Sequence, residues 1–355
     1  MERRLVTYRI VNEILPIKDA DMIELALIDG WQCVVGKGQF KVGDVGIYFE
    51  VDSFLEIRDY YEFLRRTSLR KMNGEEGFKL RTVKFRGELS QGLLMPLGTA
   101  GITGNEPEEQ LATLLGVTKY EPPIPACLGG SVIGLFPSFI PKTDQERVQN
   151  LVGKLWGTVI EYQDADGNTV IKEIPPAHKR KYEVSEKVDG SSCTIYQKDG
   201  SFGVCSRNLD LTENEDNSYW KVVYQHNLKE KLAGINVAIQ GELAGEGIQG
   251  NPLKLRGQEL FIFDIYDIDL RRYLNPEERK VFIETNIPTV KTVPIIARDF
   301  EVQDTLKELL EYVQGKSLLN PKYDREGLVF KEEGSTNSRF SFKGISNSYL
   351  LKVKD

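Results

Sequence analysis

A lysine two residues before an Asp-Gly pair is the feature that most restricts what this chain can be. It lies in Glu186-Lys187-Val188-Asp189-Gly190; apolar and polar residues alternate in the segment before it, 181–186, and the segment after it, 192–197, has the pattern of a returning strand. A period of two is typical of a half-buried strand, and Asp-Gly is typical of a tight turn. The pattern predicts that Lys187 is the last residue of a strand, next to a hairpin turn, and that its side chain faces the ligand that the sheet binds.

Two interpretations of this short pattern stay open. A lysine can act as a covalent nucleophile if it loses its proton, although its ordinary pKa is about 10.4. The alternative is a surface hairpin with an exposed Lys187 and Asp189, and the pattern alone favours that alternative. Other parts of the chain must decide between them.

Composition narrows the possible chemistry. The chain has 355 residues, 28% of them charged and 40% hydrophobic, as in globular proteins, and its length predicts two domains. The chain has two histidines, His178 and His226. This small number argues against most mechanisms that use a histidine base and against His-rich metal sites. The cysteines lack CxxC spacing, which argues against zinc and disulfides; they are Cys33, Cys127, Cys193 and Cys205.

Charge and targeting signals restrict partners and location. A net charge of −7 gives no general attraction to nucleic acid, so a nucleic-acid ligand needs a local basic groove. No segment resembles a signal peptide, and none is apolar enough to cross a membrane. We expect a cytoplasmic protein with buried, reduced thiols, no membrane partner, and a monomeric state.

The N-terminal region predicts a small β-barrel. Residues 4–55 and 78–97 contain strand patterns, and Ile57, Tyr60, Tyr61 and Leu64 repeat at helical spacing between them. About five strands around one helix indicate an OB-type barrel over residues 1–100, a fold that commonly binds oligonucleotides. Basic residues alternate along its last strand segment: Arg81, Lys84 and Arg86. They indicate phosphate contact and a solvated strand face about equally.

The remainder divides into a linker and a second domain. Residues 101–135 are rich in Gly and Pro and predict a linker or hinge. Residues 136–355 alternate strand and helix patterns and predict an α+β domain built on antiparallel sheets. We expect a helix capped by Thr143 or Asp144, a helix over 215–232 and a helix opened by Asn275-Pro276.

Several segments of this second domain indicate a chemical function only when they are considered together. Glu242 lies in GELAGEG, Phe263 in FIFDI, Glu326 in DREGLVFK and Lys343 in SFKG. Taken singly, the acids and Lys343 predict exposed strand ends and Phe263 predicts core. In this order and at this spacing, together with Lys187, they resemble the nucleotidyl transferase motifs of covalent polynucleotide ligases and capping enzymes.

The exact residues of the motifs resemble those of one group within that superfamily. FPSFIPKTDQERVQN, GELAGEGIQGN and SFKGISNSYLLK are similar to RNA ligases that seal nicks, specifically those of the Deinococcus–Naegleria type, in which an OB domain precedes the transferase domain. KLRTVKFRGELSQGL and GVTKYEPPIPA extend the resemblance into the N-terminal half. The family therefore implies an OB-type domain followed by an antiparallel-sheet nucleotidyl transferase domain.

The resemblance also implies an activity and its residues. Lys187 would attack the α-phosphate of ATP, AMP would pass to an RNA 5′-phosphate, and a 3′-OH would displace AMP to seal the nick. Catalysis would fall to Lys187, Glu326 and Lys343, and Mg²⁺ or Mn²⁺ would be held by Asp189, Glu242 and Glu326, directly or through water. ATP contacts would come from Glu186, Arg147, Arg207, Glu242, Phe263 and Lys331.

One departure and two rival functions stay open. The family often has two lysines in K-x-K near the C-terminus, whereas here Ser341 takes the first position; Lys331 or Arg339 would have to compensate. A DNA ligase or GTP-using capping enzyme is one rival, but there the OB domain usually follows the transferase domain. A non-catalytic RNA- or tRNA-binding module is the other, and the joint presence of Lys187, Glu242 and Lys343 counts against it.

Overall fold

The chain folds into two compact units, which are described separately. The computed structural model describes residues 4–121, 131–163, 169–334 and 339–352. The units are Met1–Pro125 and Ala126–Asp355.

The first unit is built from short antiparallel strands. The strands are β1 (Val6–Ile10), β2 (Glu13–Pro16), β3 (Ile23–Ile28), β4 (Trp31–Gly36), β5 (Val45–Phe49), β6 (Ser53–Glu56), β7 (Leu69–Met72), β8 (Glu75–Lys79), β9 (Thr82–Phe85), β10 (Glu88–Gln91), β11 (Leu93–Pro96) and β12 (Val117–Lys119), and the helices are α1 (Arg65–Ser68) and α2 (Glu108–Leu114). Within residues 4–121 they form four separate sheets, β1-β5-β11, β2-β3-β4, β12-β6-β8-β7 and β10-β9, with no closed barrel among them.

Alternation of apolar residues accounts for the cores of this unit. In β4, Trp31, Cys33 and Val35 are buried while the residues between them are half-buried, as a pleated strand with one inward face requires. The expected helical turn is present as a 3-10 helix over Asp59–Leu64, and Tyr61 on it is fully buried. Local pattern therefore predicted both elements.

The predicted basic strand is a hairpin instead. Residues 78–97 are divided among β8, β9, β10 and β11. Arg81 precedes β9, Lys84 lies within it, and Arg86 occupies the turn to β10 with φ of 48°. Lys84, Phe85 and Arg86 are exposed, so this hairpin carries an aromatic and two cationic side chains at its end.

The predicted linker over 101–135 extends too far toward the N-terminus. Leu111 and Leu115 are fully buried in the first unit's core, and Val117 begins β12, which pairs with β6. High Gly and Pro content hid this apolar spacing, because turns within a compact unit have the same composition as a linker. Residues 122–130 of the predicted linker lie outside the described residues.

The second unit contains two main sheets. Its elements are β13 (Val132–Leu135), α3 (Val152–Leu155), β14 (Thr158–Gln163), β15 (Thr169–Ile174), β16 (Tyr182–Lys187), β17 (Ser191–Lys198), β18 (Ser201–Cys205), β19 (Leu209–Leu211), α4 (Ser218–His226), α5 (Leu228–Lys231), β20 (Val237–Gly245), β21 (Gln258–Asp267), β22 (Arg272–Tyr273), α6 (Pro276–Asn286), β23 (Lys291–Thr292), β24 (Ile295–Phe300), α7 (Leu306–Val313), β25 (Gly327–Glu332), β26 (Ser341–Ile345) and α8 (Asn347–Lys352). The larger sheet has the order β13-β19-β18-β17-β20-β21-β22, with β23 beside β21, and the smaller has the order β24-β16-β25-β26.

The strands on either side of Lys187 belong to different sheets, so the predicted hairpin is wrong. β16 pairs with β24 and β25, whereas β17 pairs with β18 and β20. The chain crosses from the smaller to the larger sheet at Val188–Gly190. Alternation identifies a strand but not its partner, and this crossing gives Lys187 neighbours from both sheets.

Helix signals were mostly reliable. Asn275 caps α6 in a capping box with Glu278, as its position before Pro276 predicts. The helix expected over 215–232 is present as α4 and α5, divided at Asn227 with φ of 52°. Neither Thr143 nor Asp144 caps a helix, because the next helical turn begins at Val148.

Two further findings concern cysteines and membranes. Cys33, Cys193 and Cys205 are free and buried, and Cys127 lies outside the described residues. In the part of the chain that the structure describes, no helix has the length and apolar character needed to cross a membrane.

Candidate active site

Lys187 lies where the two sheets of the second unit meet. It is the last residue of β16, and the chain then approaches β20 closely at Gly190. A Cβ on Gly190 would lie 2.3 Å from the carbonyl oxygen of Leu243, so only glycine permits this approach. The Asp-Gly pair is therefore a crossing point that holds Lys187 between the sheets.

Carboxylates surround the Lys187 ammonium. Lys187 Nζ donates to Glu326 Oε2 at 2.6 Å, and Glu326 immediately precedes β25, whose first residue Gly327 is opposite Lys187. Burial disfavours the charged amine, but Glu326, Glu242 and Asp189 together outweigh it and raise the pKa of Lys187. The protein without nucleotide therefore keeps Lys187 as an ammonium.

Lys343 faces the same space from β26. It is opposite Val329 of β25, and its backbone N–H donates to the Glu146 carbonyl, next to Arg147, at 2.8 Å. Burial, followed by the positive charges of Lys187 and Arg147, lowers the pKa of Lys343 to about 8. The structure thus brings the positive charges of Lys187, Lys343 and Arg147 together.

Glu242 faces this space from the larger sheet. It lies on β20, opposite Ser192 and Phe261, and its carboxylate accepts a hydrogen bond from the Gly190 backbone N–H. Burial is the main cause that raises the pKa of Glu242, to about 7, and the negative charges of Glu326 and Asp189 add to it. This carboxyl changes charge near neutral pH.

This shift predicts a pH-dependent effect of Glu242→Gln on stability. Because its folded-state pKa is raised, Glu242 stabilises the fold through protonation below its ordinary pKa of 4.5, and this stabilisation is lost as pH rises through about 7. Glutamine imitates the protonated form. The variant should match the wild type near pH 4.5 and exceed it above pH 7 by up to about 3 kcal/mol.

Urea unfolding of nucleotide-free protein in chelator would measure this difference. The control is Glu246→Gln, since Glu246 is exposed just beyond the same strand. A Glu242→Gln gain that does not change with pH would contradict the prediction.

Phe263 lies at a bulge in β21 and is bordered by a buried charge cluster. On β20, Gln240 pairs with Asp264 and the next residue, Gly241, pairs with Ile262. Phe263 therefore has no partner on β20 and forms a bulge. Lys331 donates to the Phe263 carbonyl at 2.8 Å and to Asp264 Oδ2 at 2.9 Å, with its Nζ 5.0 Å from the Phe263 ring centre. Burial lowers the pKa of Lys331 to about 8.

The same cluster surrounds the Ser341 position. Ser341 lies opposite Lys331 on β26, and Arg339 donates to Asp264 Oδ2 at 2.8 Å. Both cations that could replace the missing lysine are therefore held by one carboxylate next to Ser341. Lys331 and Arg339 are therefore buried close to Ser341, the position at which the family pattern has a lysine.

Glu186 is buried beneath the crossing. Its Oε2 accepts from the Leu318 backbone N–H at 2.7 Å, and burial raises its pKa. Its Oε1 is buried without a hydrogen-bond partner among the described residues. A polar ligand group could satisfy this oxygen, as expected for a residue beside a base.

Arg207 and Asp189 lie at the edges of the site. Arg207, on the loop after β18, pairs with Asp144 at 2.7 Å and is 58% exposed. Asp189 accepts a short hydrogen bond from the Tyr349 hydroxyl. Thus Arg207 is less enclosed than the other predicted residues, and Asp189 already has a protein donor.

The predicted metal ligands do not form a ready-made cage. No group of three or more His, Cys, Asp or Glu side chains arranged for a metal occurs within residues 4–121, 131–163, 169–334 and 339–352. Asp189, Glu242 and Glu326 nevertheless act on one another's charge around Lys187. Oxygen donors of this kind fit Mg²⁺ or Mn²⁺, which commonly keep several waters and use one or two carboxylates plus substrate phosphates.

Sequence reasoning missed three contributors. Asp264 follows Phe263 in an apolar strand, which hid its role in binding Lys331 and Arg339. Leu318 acts through its backbone, which leaves no signal in the sequence. Tyr349 lies in a C-terminal helix far along the chain from Asp189.

Comparisons with known proteins agree with this arrangement. An OB-fold domain model matches residues 5–97, and an RNA ligase model matches residues 180–345. No match was found among curated proteins. These two models define the class as an OB-fold domain joined to a ligase domain, the order expected from the motifs.

Among solved structures the chain is similar to Naegleria gruberi RNA ligase. A variant with AMP and Mn has 42% identity and a TM-score of 0.80, with 99% of both chains covered. The enzyme with pyrophosphate has 42% identity and a TM-score of 0.78, with 99% of both covered. A variant with ATP and Mn has 42% identity and a TM-score of 0.79, covering 99% of this chain and 100% of that one.

The chain therefore belongs to the RNA ligase family and is an RNA ligase. The Naegleria variants with known structures include changes of a lysine and of the aspartate two residues after it. That separation equals the one between Lys187 and Asp189.

Proposed function

We propose that this RNA ligase joins 3′-OH and 5′-phosphate ends at nicks through an AMP carried on Lys187, with ATP as the AMP donor. The observation that carries the proposal is the placement of Lys187 between two sheets, within 2.6 Å of Glu326, with Lys343 and Glu242 acting on the same space. Naegleria gruberi RNA ligase has been solved with ATP, AMP, pyrophosphate and Mn, which supports the choice of nucleotide and metal.

Three group transfers make up the reaction. The neutral Lys187 amine attacks the α-phosphorus of ATP, a P–N bond forms, and the bond to pyrophosphate breaks. An oxygen of the RNA 5′-phosphate then attacks the same phosphorus, and the Lys187 amine leaves, giving a 5′-5′ pyrophosphate. Finally the RNA 3′-OH attacks the terminal RNA phosphorus, AMP leaves, and a phosphodiester remains.

The first step requires Lys187 to lose its proton. Its carboxylate neighbours hold the proton in the nucleotide-free state, so charge at the site must change before attack. A divalent ion held by Asp189, Glu242 and Glu326 would supply positive charge to the phosphates and these carboxylates. Lys343 and Arg147, already beside Lys187, would stabilise negative charge on the transferring phosphate.

The base would lie between Phe263 and Glu186. The Phe263 ring is half-buried at the bulge, and Lys331 Nζ lies 5.0 Å from its centre. The ring would stack on the adenine. Glu186 Oε1 would hydrogen-bond the adenine edge. Arg207 would reach phosphate or ribose from the rim of the site after leaving Asp144.

Radiolabelled nucleotides test the proposal. The protein is first stripped of bound AMP with pyrophosphate, then incubated with Mg²⁺ or Mn²⁺ and α-labelled ATP or GTP, and separated on a denaturing gel. An acid-labile label from ATP, followed by joining of a nicked RNA duplex, is the expected result. Failure to label with either metal would overturn the proposal, and labelling by GTP instead would indicate capping chemistry.

The hairpin of the first unit is the proposed contact for the duplex. Replacing Arg81, Lys84 and Arg86 by alanine should leave labelling of Lys187 unchanged and weaken joining. Cations that bind phosphates release counterions, so the salt slope of log affinity for nicked RNA should fall by roughly one unit for each phosphate that the variant no longer binds. Binding to nicked RNA at several salt concentrations would measure it.

A control of equal charge change removes three exposed lysines of the same unit. Lys18, Lys37 and Lys41 are exposed on other loops, and their triple alanine variant changes net charge equally. Unaltered sealing and salt slope in the hairpin variant would exclude it as the RNA contact.

The preferred substrate, assembly and location are parts of this proposal. We propose a nicked duplex rather than free ends, and an enzyme that acts as a monomer. Three buried free thiols suit a reducing compartment, in agreement with the expected cytoplasmic location. Joining assays with nicked and unpaired RNA, and sedimentation of the protein, would check the first two points.

A further inference from the structure

The C-terminal helix α8 contacts the crossing that carries Lys187. Tyr349 of this helix is only 6% exposed, and its hydroxyl donates a short hydrogen bond to Asp189 Oδ2. Both groups lie within the second unit although they are 160 residues apart in sequence. The contact is therefore a built feature of the tertiary fold.

Further contacts join the helix and its N-terminal Ser346 to the Glu326 segment. The Ser346 backbone N–H donates to the Glu326 carbonyl at 2.8 Å, and Ser346 Oγ accepts from the Tyr349 backbone N–H at 3.2 Å. Farther along, Lys352 binds Asp324, two residues before Glu326. The helix thus bridges both carboxylate segments beside Lys187.

We propose that Tyr349 is a positioning residue for lysine adenylylation, acting through Asp189. This inference rests on the proposed function. By donating to Oδ2 of Asp189, Tyr349 sets the orientation of Oδ1. The same hydrogen bond holds the Asp189 carboxylate toward Tyr349. Lys187 consequently pairs with Glu326 rather than with Asp189.

Removing only the hydroxyl tests this role. In Tyr349→Phe, Asp189 loses the donor that orients it while the ring still fills its place. We expect the single-turnover rate constant for Lys187 labelling at saturating ATP and Mn²⁺ to fall roughly 10- to 100-fold, with the ATP concentration at half-maximal rate nearly unchanged. The labelled fraction at long times should equal that of the wild type, since folded molecules stay competent.

A double-mutant cycle with Asp189→Ala, which removes the acceptor, assigns the route. If Tyr349 acts through Asp189, adding Tyr349→Phe to Asp189→Ala should cause little further loss. Additive losses in the cycle would overturn the proposal. So would a Tyr349→Phe rate constant equal to the wild type, or a lower labelled fraction with an unchanged rate constant.

The matched control is another tyrosine hydroxyl that donates to an aspartate of the same unit. Tyr196 donates to Asp210 Oδ2 at 2.8 Å, outside the residues assigned to the reaction. Tyr196→Phe should keep the wild-type rate constant. Absence of label on the wild type would reject the proposed function itself, whereas normal wild-type label with an unaffected Tyr349→Phe would reject only this inference.

Discussion

Replacing Lys187 by methionine should abolish transfer of AMP to the protein. Methionine fills a similar volume but has no amine, so no P–N bond can form. Loss of a covalent nucleophile costs at least roughly a thousand-fold in rate, which places the variant at background on a gel. Incubation with α-labelled ATP and Mn²⁺ measures the effect directly.

A second variant separates charge from nucleophilicity at the same position. Lys187→Arg keeps a positive charge facing Glu326, but a guanidinium stays protonated in proteins and cannot attack. It should therefore also fail to label, even if its stability is close to that of the wild type. This result would show that the site requires an amine that can lose its proton.

The matched control for Lys187 is Lys198. Lys198 ends β17 and pairs with Asp199 away from the crossing, so Lys198→Met should label fully. Label on Lys187→Met, stable to the same washing and lost in acid, would mean that another residue carries AMP. Lys343 is the nearest alternative, and Lys343→Met would then identify it.

The largest expected effect on stability comes from Arg279. Arg279 on α6 donates to both Glu183 oxygens at 2.5 and 2.8 Å, and lies 3.8 Å from Asp264. Arg279 and Glu183 are 7% and 3% exposed at their side chains. Arg279→Met would leave the buried Glu183 with Arg298, at 3.4 Å, as its remaining ion pair among the described residues.

Breaking a buried pair costs more than the pair contributes, because the remaining charge has lost its water. We expect Arg279→Met to lower the free energy of unfolding of the second unit by about 3–5 kcal/mol. Urea unfolding would measure this loss, with each unit followed separately because two units need not unfold together.

A more exposed ion pair between β22 and the same helix is the control. Arg272 pairs with Glu278 at 2.7 Å, but both side chains are partly exposed. Arg272→Met should cost no more than about 1 kcal/mol. Equal losses for the two variants would show that burial does not decide the cost.

Sequence alone determined the elements and the chemistry of the site. Alternation located β16, and the Asn275-Pro276 signal located α6, because strand pleat and helix capping are local properties. The order and spacing of Lys187, Glu242, Glu326 and Lys343 indicated a nucleotidyl transferase, and the family matches confirm an RNA ligase.

Tertiary structure decided which elements meet and which charges dominate. β16 and β17 enter different sheets, the ladder shifts at Phe263, and Asp264, Arg279 and Tyr349 supply partners far along the chain. Hydrogen bonds between strands and the pKa of a buried group depend on distances in space, which periodicity does not encode. For that reason the sequence predicted Lys187 as the nucleophile, while only the fold shows that carboxylates surround it and raise its pKa.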